Sequence, residues 1–295
     1  MALTVGFIGL GTMGTGMARN LARAGFALAL SSRTAAKVKA LSAELGAKAC
    51  GSPAEVGAAS EVVVSCLPDS PEVEQVHLGP EGTVRGAAKG TVVIDCSTIA
   101  AEAARSIAGR LAESGVSFLD APVSGGQKGA NDGTLTFFVG GEADALEKAR
   151  PVLLAMGKRI THLGPCGAGQ LGKAVNQIVV AGTLMAVSEG IAFAQKAGLP
   201  MSALHEALMG GAASSWMLDV LGKKMMDRDF KPAFAIKHQQ KDLGIVLKTA
   251  REKGVPLPGV ALVHQLLSAL EAQGRGEEGT QALLTLYEQL GAPPA

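Results

Sequence analysis

The chain has 295 residues, about two domains' worth at ~150 residues each. Hydrophobic residues make up 47%, charged residues 18% and aromatic residues only 3%, so the core has ample material and is aliphatic. Lys plus Arg (27) nearly cancels Asp plus Glu (26), leaving +1; this argues against intrinsic disorder and against a nucleic-acid binder, which would show a basic excess or stripe.

In chain order, the strand candidates are Thr4–Ile8, Ala27–Ser31, Glu61–Cys66, Thr91–Asp95, Ser117–Asp120, Thr134–Val139 and Arg159–His162. Helical stretches such as Met13–Ala24, Thr34–Leu45, Ala100–Ser114 and Ala143–Met156 lie between them. Strands alternating with helices at this spacing predict βαβ units and a mostly parallel sheet. The runs Glu61–Ser65 and Thr91–Asp95 are apolar without alternation, as strands covered on both faces are. After Gly164-Pro165-Cys166-Gly167 the rhythm becomes wholly helical. The first of these helices, about Ala168 to Lys196, is apolar nearly all round; such a helix is buried in its own domain or between subunits. The last residues, 291–295, are expected to fray.

Cys50, Cys66, Cys96 and Cys166 lie far apart with no CxxC pair, which fits neither a zinc site nor a disulfide framework and suits a reducing cytosol. The five histidines form no HExxH or HxH, so no metal is expected. The longest largely apolar run, Ile178–Val187, is about half a bilayer span, and the amino terminus lacks a basic n-region. A soluble, cytoplasmic protein with no membrane contact is the expectation.

The first strand runs straight into Gly9-Leu10-Gly11-Thr12-Met13-Gly14 and then a helix. GxGxxG alone is a weak signal; between strand and helix it predicts a dinucleotide cradle. Gly9 allows the turn, Gly11 lets a pyrophosphate reach the backbone, and Gly14 lets helix and strand pack closely. The competing reading is a strand–turn–helix with no ligand. At the end of the second strand, an NAD site usually carries an acid for the ribose hydroxyls. Here stand Ser32-Arg33-Thr34, with no acid before Glu44. An Arg with flanking hydroxyls suits a 2′-phosphate, so NADP(H) is preferred over NAD(H), which stays possible; the alternative is that Arg33 is a solvated helix-cap residue. The expected architecture is an α/β Rossmann-type dinucleotide-binding domain over residues 1–164. An all-α substrate and oligomerisation domain follows over residues 165–295.

Lys173 sits early in the apolar helix among Leu171, Ala174 and Val175. Desolvation lowers a lysine's pKa toward the working range, and an ammonium can protonate a nascent alkoxide; a snorkelling surface lysine is the alternative. Asn176 and Gln177 fall on the same helix face, where an amide can orient a substrate or simply bond to the helix. Ser124-Gly125-Gly126 follows a strand end, where consecutive N–H groups and a hydroxyl suit a small carboxylate, or form an ordinary glycine turn.

Four motifs then resemble the β-hydroxyacid dehydrogenase family over essentially the whole chain: Gly6–Gly14 with Met17-Ala18 and Asn20-Leu21; Asp120-Ala-Pro-Val-Ser-Gly-Gly126; Gly167-x-Gly169-x-x-x-Lys173-x-x-Asn176-Gln177; and Phe230-Lys-Pro-Ala-Phe234 leading to Lys241-Asp242-Leu243. Asn176-Gln177, Met226–Pro232 and the Gly279…Leu290 ending are most similar to the tartronate semialdehyde (2-hydroxy-3-oxopropionate) reductase branch. That branch often carries an acid where this chain has Ser-Ser-Arg-Thr. The resemblance implies an NADP(H)-linked reduction of a small aldehyde acid, tartronate semialdehyde to D-glycerate being favoured. Alternatives are 3-hydroxyisobutyrate dehydrogenase, glyoxylate/succinic semialdehyde reductase and, more distantly, a non-enzymatic dinucleotide-binding module. It further implies that Lys173 is catalytic, that Ser124, Gly125, Gly126 and Asn176 contact substrate, and that Leu67, Pro68, Thr98 and Lys241 contact the cofactor. A homo-oligomer, dimer or tetramer, is the expected assembly.

Overall fold

The computed structural model describes residues 3–291; past Gly291, the segment expected to fray lies outside the described residues. Among the described residues, nine strands form one sheet: β1 (Thr4–Ile8), β2 (Ala27–Ser31), β3 (Lys48–Ala49), β4 (Val62–Ser65), β5 (Val92–Asp95), β6 (Ser117–Asp120), β7 (Val123–Ser124), β8 (Leu135–Gly140) and β9 (Gly157–Gly164). Their order is β3-β2-β1-β4-β5-β6-β8-β7, with β9 paired to β8. The six strands from β3 to β6 are mutually parallel, whereas β8 runs antiparallel to both β6 and β7. The helices of this part are α1 (Thr12–Arg23), α2 (Ala35–Leu45), α3 (Pro53–Ala58), α4 (Ser70–Leu78), α5 (Ala101–Ala112), α6 (Gly126–Asp132) and α7 (Ala143–Met156). The two-residue strands β3 and β7 are too short to leave a periodic trace in sequence.

The unalternating apolar runs have a direct structural cause. On β4 and β5, Val62, Val64, Val92 and Ile94 pack on one face with Met17 and Leu21 of α1 and Leu153 of α7. Val63 and Val93 pack on the other with Val56 of α3 and Ile107 and Leu111 of α5. Successive side chains alternate faces, so a sheet covered on both sides needs an apolar residue at every position.

Helix α8 (Ala168–Lys196) follows, and the chain divides into two compact units between Lys173 and Ala174. The first turns of α8 thus belong with the sheet. The second unit is helical, with Met201–Met209, Ile236–Glu252, Pro258–Ala272 and Leu283–Leu290 as its main further helices. Its core gathers Ala181, Leu184 and Ile191 of α8 with Ile236, Leu243, Val263 and Leu267. The apolar helix is not buried all round within the chain, because Val175, Val179 and Phe193 are 60%, 61% and 73% exposed. The run-length reading also needs correction: the helix continues through Ser188 and Glu189 to 29 residues, which by length and composition alone is enough to cross a bilayer.

Two glycines in the β1–α1 turn are required by space. Gly9 has φ +101°, and a Cβ at Gly14 would lie 1.9 Å from the carbonyl oxygen of Gly9. Around Gly11, by contrast, a Cβ would meet nothing within 4 Å. Gly14→Ala should therefore lower the unfolding free energy by roughly 1–3 kcal/mol, since backbone must move. Gly11→Ala should change it by less than about 1 kcal/mol. Urea denaturation of both variants checks this, and equal losses would contradict the steric assignment.

Candidate active site

The first unit gathers most of the expected residues along the carboxyl edge of β2, β1, β4 and β5, which are adjacent in that order. Gly9 donates its N–H to the carbonyl of Ser31 at 3.0 Å, fastening the glycine turn to the end of β2. Gly11 caps α1, and Thr12, Met13 and Gly14 form its first turn. The amides of that turn have no carbonyl within the helix to meet, and with the positive dipole end they suit a phosphate. The open space at Gly11 and the crowding at Gly9 and Gly14 fit a dinucleotide: room where the ligand approaches, contact where helix meets strand.

Beyond β2, Ser32 is half-buried and Arg33 and Thr34 are exposed. Arg33 makes no hydrogen bond or ion pair among the described residues. The next acid, Glu44, is held by Arg19 through two bonds of 2.7 and 2.9 Å. A hollow of about 440 Å³ beside the glycine turn is lined by Gly11, Thr12, Arg19 and Lys37 among others. Glu44 lines the same hollow, with its carboxylate engaged by Arg19.

The ends of β4 and β5 are joined by a buried polar network. Asp95 Oδ1 accepts the hydroxyls of Ser65 and Ser97, each at 2.7 Å. Ser97 Oγ in turn accepts the backbone N–H of Leu67 at 2.8 Å. Ser65 spends its one hydrogen on Asp95, so His77 Nε2 donates to Ser65 Oγ at 3.0 Å, while Nδ1 lies 3.2 Å from Thr83 Oγ1, whose hydroxyl also donates to the Val76 carbonyl. Leu67-Pro68 and Thr98, the expected cofactor contacts, stand on this network. His77 and Asp95 had no motif to mark them.

Asp120, at the end of β6, accepts the amides of Gly167 and Gln170 on its two oxygens, each at 2.8 Å. It thereby anchors the start of α8, one turn before Lys173. Burial raises the Asp120 carboxyl, partly offset by these amides, and burial and Asp120 together push the Cys166 thiol up to about 12. Lys173 itself is only 7% exposed. Ser124 ends β7 and pairs with Thr136, whereas Asp120 pairs with Gly140. It thus rises beyond the carboxyl edge of β6 by the offset of four residues along β8. Gly125 and Gly126 follow at φ +127° and +59°, so the glycines form the turn into α6 rather than continuing β6 directly.

Asn176 and Lys241 belong to the second unit. Asn176 Nδ2 donates to Gln177 Oε1 at 2.8 Å, and Gln177 Nε2 donates to Asp242 Oδ2 at 2.6 Å. Lys241 Nζ lies 2.9 Å from Asp242 Oδ1. Buried Asp242 thus links the Asn176-Gln177 and Lys241-Asp242 motifs, which are far apart in sequence.

The two titratable groups beneath the β4–β5 edge oppose one another. Burial lowers His77 from 6.5 to about 3 and raises Asp95 from 3.8 to about 6, the latter partly offset by the Ser97 and Ser65 hydrogen bonds. Neutral His77 stabilises the fold above 6.5, and that contribution is lost as pH falls toward 3. Protonated Asp95 contributes below 3.8 and its contribution is lost as pH rises through 6. Asp95→Asn removes the carboxyl that offsets His77, so the variant's stability should fall more steeply than that of wild type between pH 6 and 4. The difference in slope is at most about 1.4 kcal/mol per pH unit. Urea titrations across that range measure it, and parallel curves would overturn the assignment.

Comparison with known proteins bears on the whole chain. Residues 4–164 match the family model described as the NAD binding domain of 6-phosphogluconate dehydrogenase. Residues 167–287 match the one described as NAD-binding of NADP-dependent 3-hydroxyisobutyrate dehydrogenase. The chain is 40% identical to 2-hydroxy-3-oxopropionate reductase of Escherichia coli K12, covering 97% of both. It is 38% identical to the NAD-dependent L-serine dehydrogenase of Pseudomonas aeruginosa, covering 96% of this chain and 97% of that one. Among solved structures, Mycobacterium tuberculosis 3-hydroxyisobutyrate dehydrogenase with L-serine superposes at a TM-score of 0.89 and 31% identity, covering 99% of this chain and 100% of that one. Likeness of this extent, over a Rossmann-type sheet whose glycine turn and strand ends form a dinucleotide cradle, shows that the chain belongs to the 3-hydroxyisobutyrate dehydrogenase (β-hydroxyacid dehydrogenase) family of NAD(P)-dependent oxidoreductases, which act on the hydroxyl group of hydroxyacids.

Proposed function

We propose that this protein reduces a small aldehyde acid with NADP(H), tartronate semialdehyde to D-glycerate being the preferred reaction. The observation that carries the proposal is Lys173, a lysine only 7% exposed on a helix anchored to the carboxyl edge of the sheet. A dinucleotide held by the Gly9–Gly14 turn would supply or accept the hydride. Lys173 Nζ protonates the alkoxide oxygen that forms on the substrate, and in the oxidative direction the neutral amine takes up the hydroxyl proton. Ser124 Oγ and the amides of Gly125 and Gly126 hold the substrate carboxylate. Asn176 orients the substrate, its amide set by Gln177, and Lys241 reaches the cofactor. A second reading, oxidation of a β-hydroxyacid such as 3-hydroxyisobutyrate, is supported by the likeness to the Mycobacterium tuberculosis enzyme.

Arg33, exposed and unengaged among the described residues, with Ser32 and Thr34 beside it, is proposed to grip the 2′-phosphate of NADPH. The exposed side chains Val175, Val179 and Phe193 are proposed to pack against a second copy of the chain, since large apolar side chains exposed along one helix favour burial. Four free thiols are compatible with the cytoplasm as its compartment.

Purified protein assayed on C2–C4 aldehyde acids with NADPH and NADH tests the reading. Lys173→Ala should cut kcat by about 10²–10⁴-fold while dinucleotide affinity stays near wild type; retention of more than about a tenth of the activity would remove Lys173 from the chemistry. Wild type should favour NADPH in kcat/KM by roughly 10- to 100-fold, one charged hydrogen bond being worth about 1.5–3 kcal/mol. Ser32→Asp combined with Arg33→Ala should shift that preference toward NADH, adding repulsion while deleting attraction. A wild type that prefers NADH would overturn the cofactor assignment and leave the reaction class standing.

A further inference from the structure

Gln170 lies three residues before Lys173 on α8 and is almost fully buried. A buried amide must find partners for both its donor and its acceptor ends. Here Oε1 accepts the N–H of Ile99 at 3.1 Å and Nε2 donates to the carbonyl of Ser97 at 2.9 Å. These two backbone groups flank Thr98, so one side chain grips the segment on either side of that residue. The Gln170 backbone N–H meanwhile donates to Asp120 Oδ2 at 2.8 Å. Ser97, gripped through its carbonyl, also carries the hydroxyl that holds Leu67 N–H and meets Asp95. The ends of β4, β5 and β6 are therefore tied to the helix of Lys173 through this single residue.

We propose that Gln170 is a positioning residue that sets the Thr98 segment against the Lys173 ammonium. The inference rests on the reading of Lys173 as proton donor given above. Hydride and proton transfer need their groups aligned together, and a misplacement of ~1 Å can cost on the order of 10²-fold in rate. An amide suits the task because the segment offers one donor and one acceptor to the same side chain. Methionine has a similar length and makes neither bond. Glutamate keeps the acceptor for Ile99 N–H and sets an oxygen against the Ser97 carbonyl.

The test compares full-length wild type, Gln170→Met and Gln170→Glu in three measurements: hydrogen exchange at the Ile99 amide, calorimetric dinucleotide affinity, and steady-state kinetics with cofactor deuterated at C4 of the nicotinamide. In Gln170→Met the Ile99 amide should lose protection and kcat should fall ~10- to 100-fold. KM and dinucleotide affinity should stay within about threefold, and the deuterium isotope effect should rise, the pattern of an interaction felt in the transition state. Gln170→Glu, which keeps the acceptor for Ile99 N–H but opposes the Ser97 carbonyl, should retain more Ile99 protection than Gln170→Met while kcat still falls, and it serves if Gln170→Met does not fold. Lost protection with unchanged kcat would make the contact merely structural and overturn the proposal, as would unchanged protection in Gln170→Met. A wild type inactive on every aldehyde acid would overturn the functional reading instead. The exchange and affinity measurements need no substrate and still report whether the grip exists.

Discussion

The carboxylate of Asp120 receives the amides of Gly167 and Gln170, and the placement of Lys173 depends on that junction. An open α/β sheet presents ligand-binding loops at its carboxyl edge, but a residue on a following helix reaches that edge only if the helix start is held there. Asp120 ends β6 and is fully buried, so its charge is compensated by the helix amides and by the dipole end they terminate. Gly169 packs against the same residue; a Cβ there would lie 2.4 Å from the Asp120 carbonyl oxygen.

Around this junction the polar groups form one connected set. Gln170 carries it to Ser97 and Ile99, Ser97 to Asp95 and Leu67, and Asp95 through Ser65 to His77. Buried polar groups specify geometry when all are satisfied, and they are costly when one partner is removed. The aliphatic core beneath supplies driving force without directional preference. The hydrogen bonds select, among well-packed arrangements, the one in which the strand ends are held relative to each other. The opposite shifts of His77 and Asp95 favour the neutral form of both groups under mildly acid conditions.

Much of the α/β unit was legible in its sequence. The strands Thr4–Ile8, Ala27–Ser31 and Ser117–Asp120 and the helix Ala143–Met156 have the bounds that the pattern predicts, because strands buried on both faces leave unbroken apolar runs. The antiparallel turn of β8 and the short strand β7 left no such trace, since strand direction depends on how the chain returns to the sheet and not on local composition. The long helix was legible as apolar, but its division into a face buried at Ala181, Leu184 and Ile191 and a face exposed at Val175, Val179 and Phe193 was not. Which side of an all-apolar helix meets the core is decided by its neighbours.

By itself the sequence determined what is short-range: the glycines that sterics demand at positions 9 and 14, the helix that opens after them, and the missing acid after the second strand. Sterics and hydrogen bonding within a few residues act before the chain folds, so they can be read from neighbours in sequence. Only the tertiary structure decided that Gln170 grips the backbone on both sides of Thr98, that Asp120 anchors the helix of Lys173, and that His77 closes a network with Asp95. Those partners are separated by 71 and 73 residues for Gln170 and by 47 and 50 for Asp120. Glutamine, histidine and aspartate on their own each have many ordinary roles, and it is burial against a particular unpaired donor or acceptor that assigns one of them.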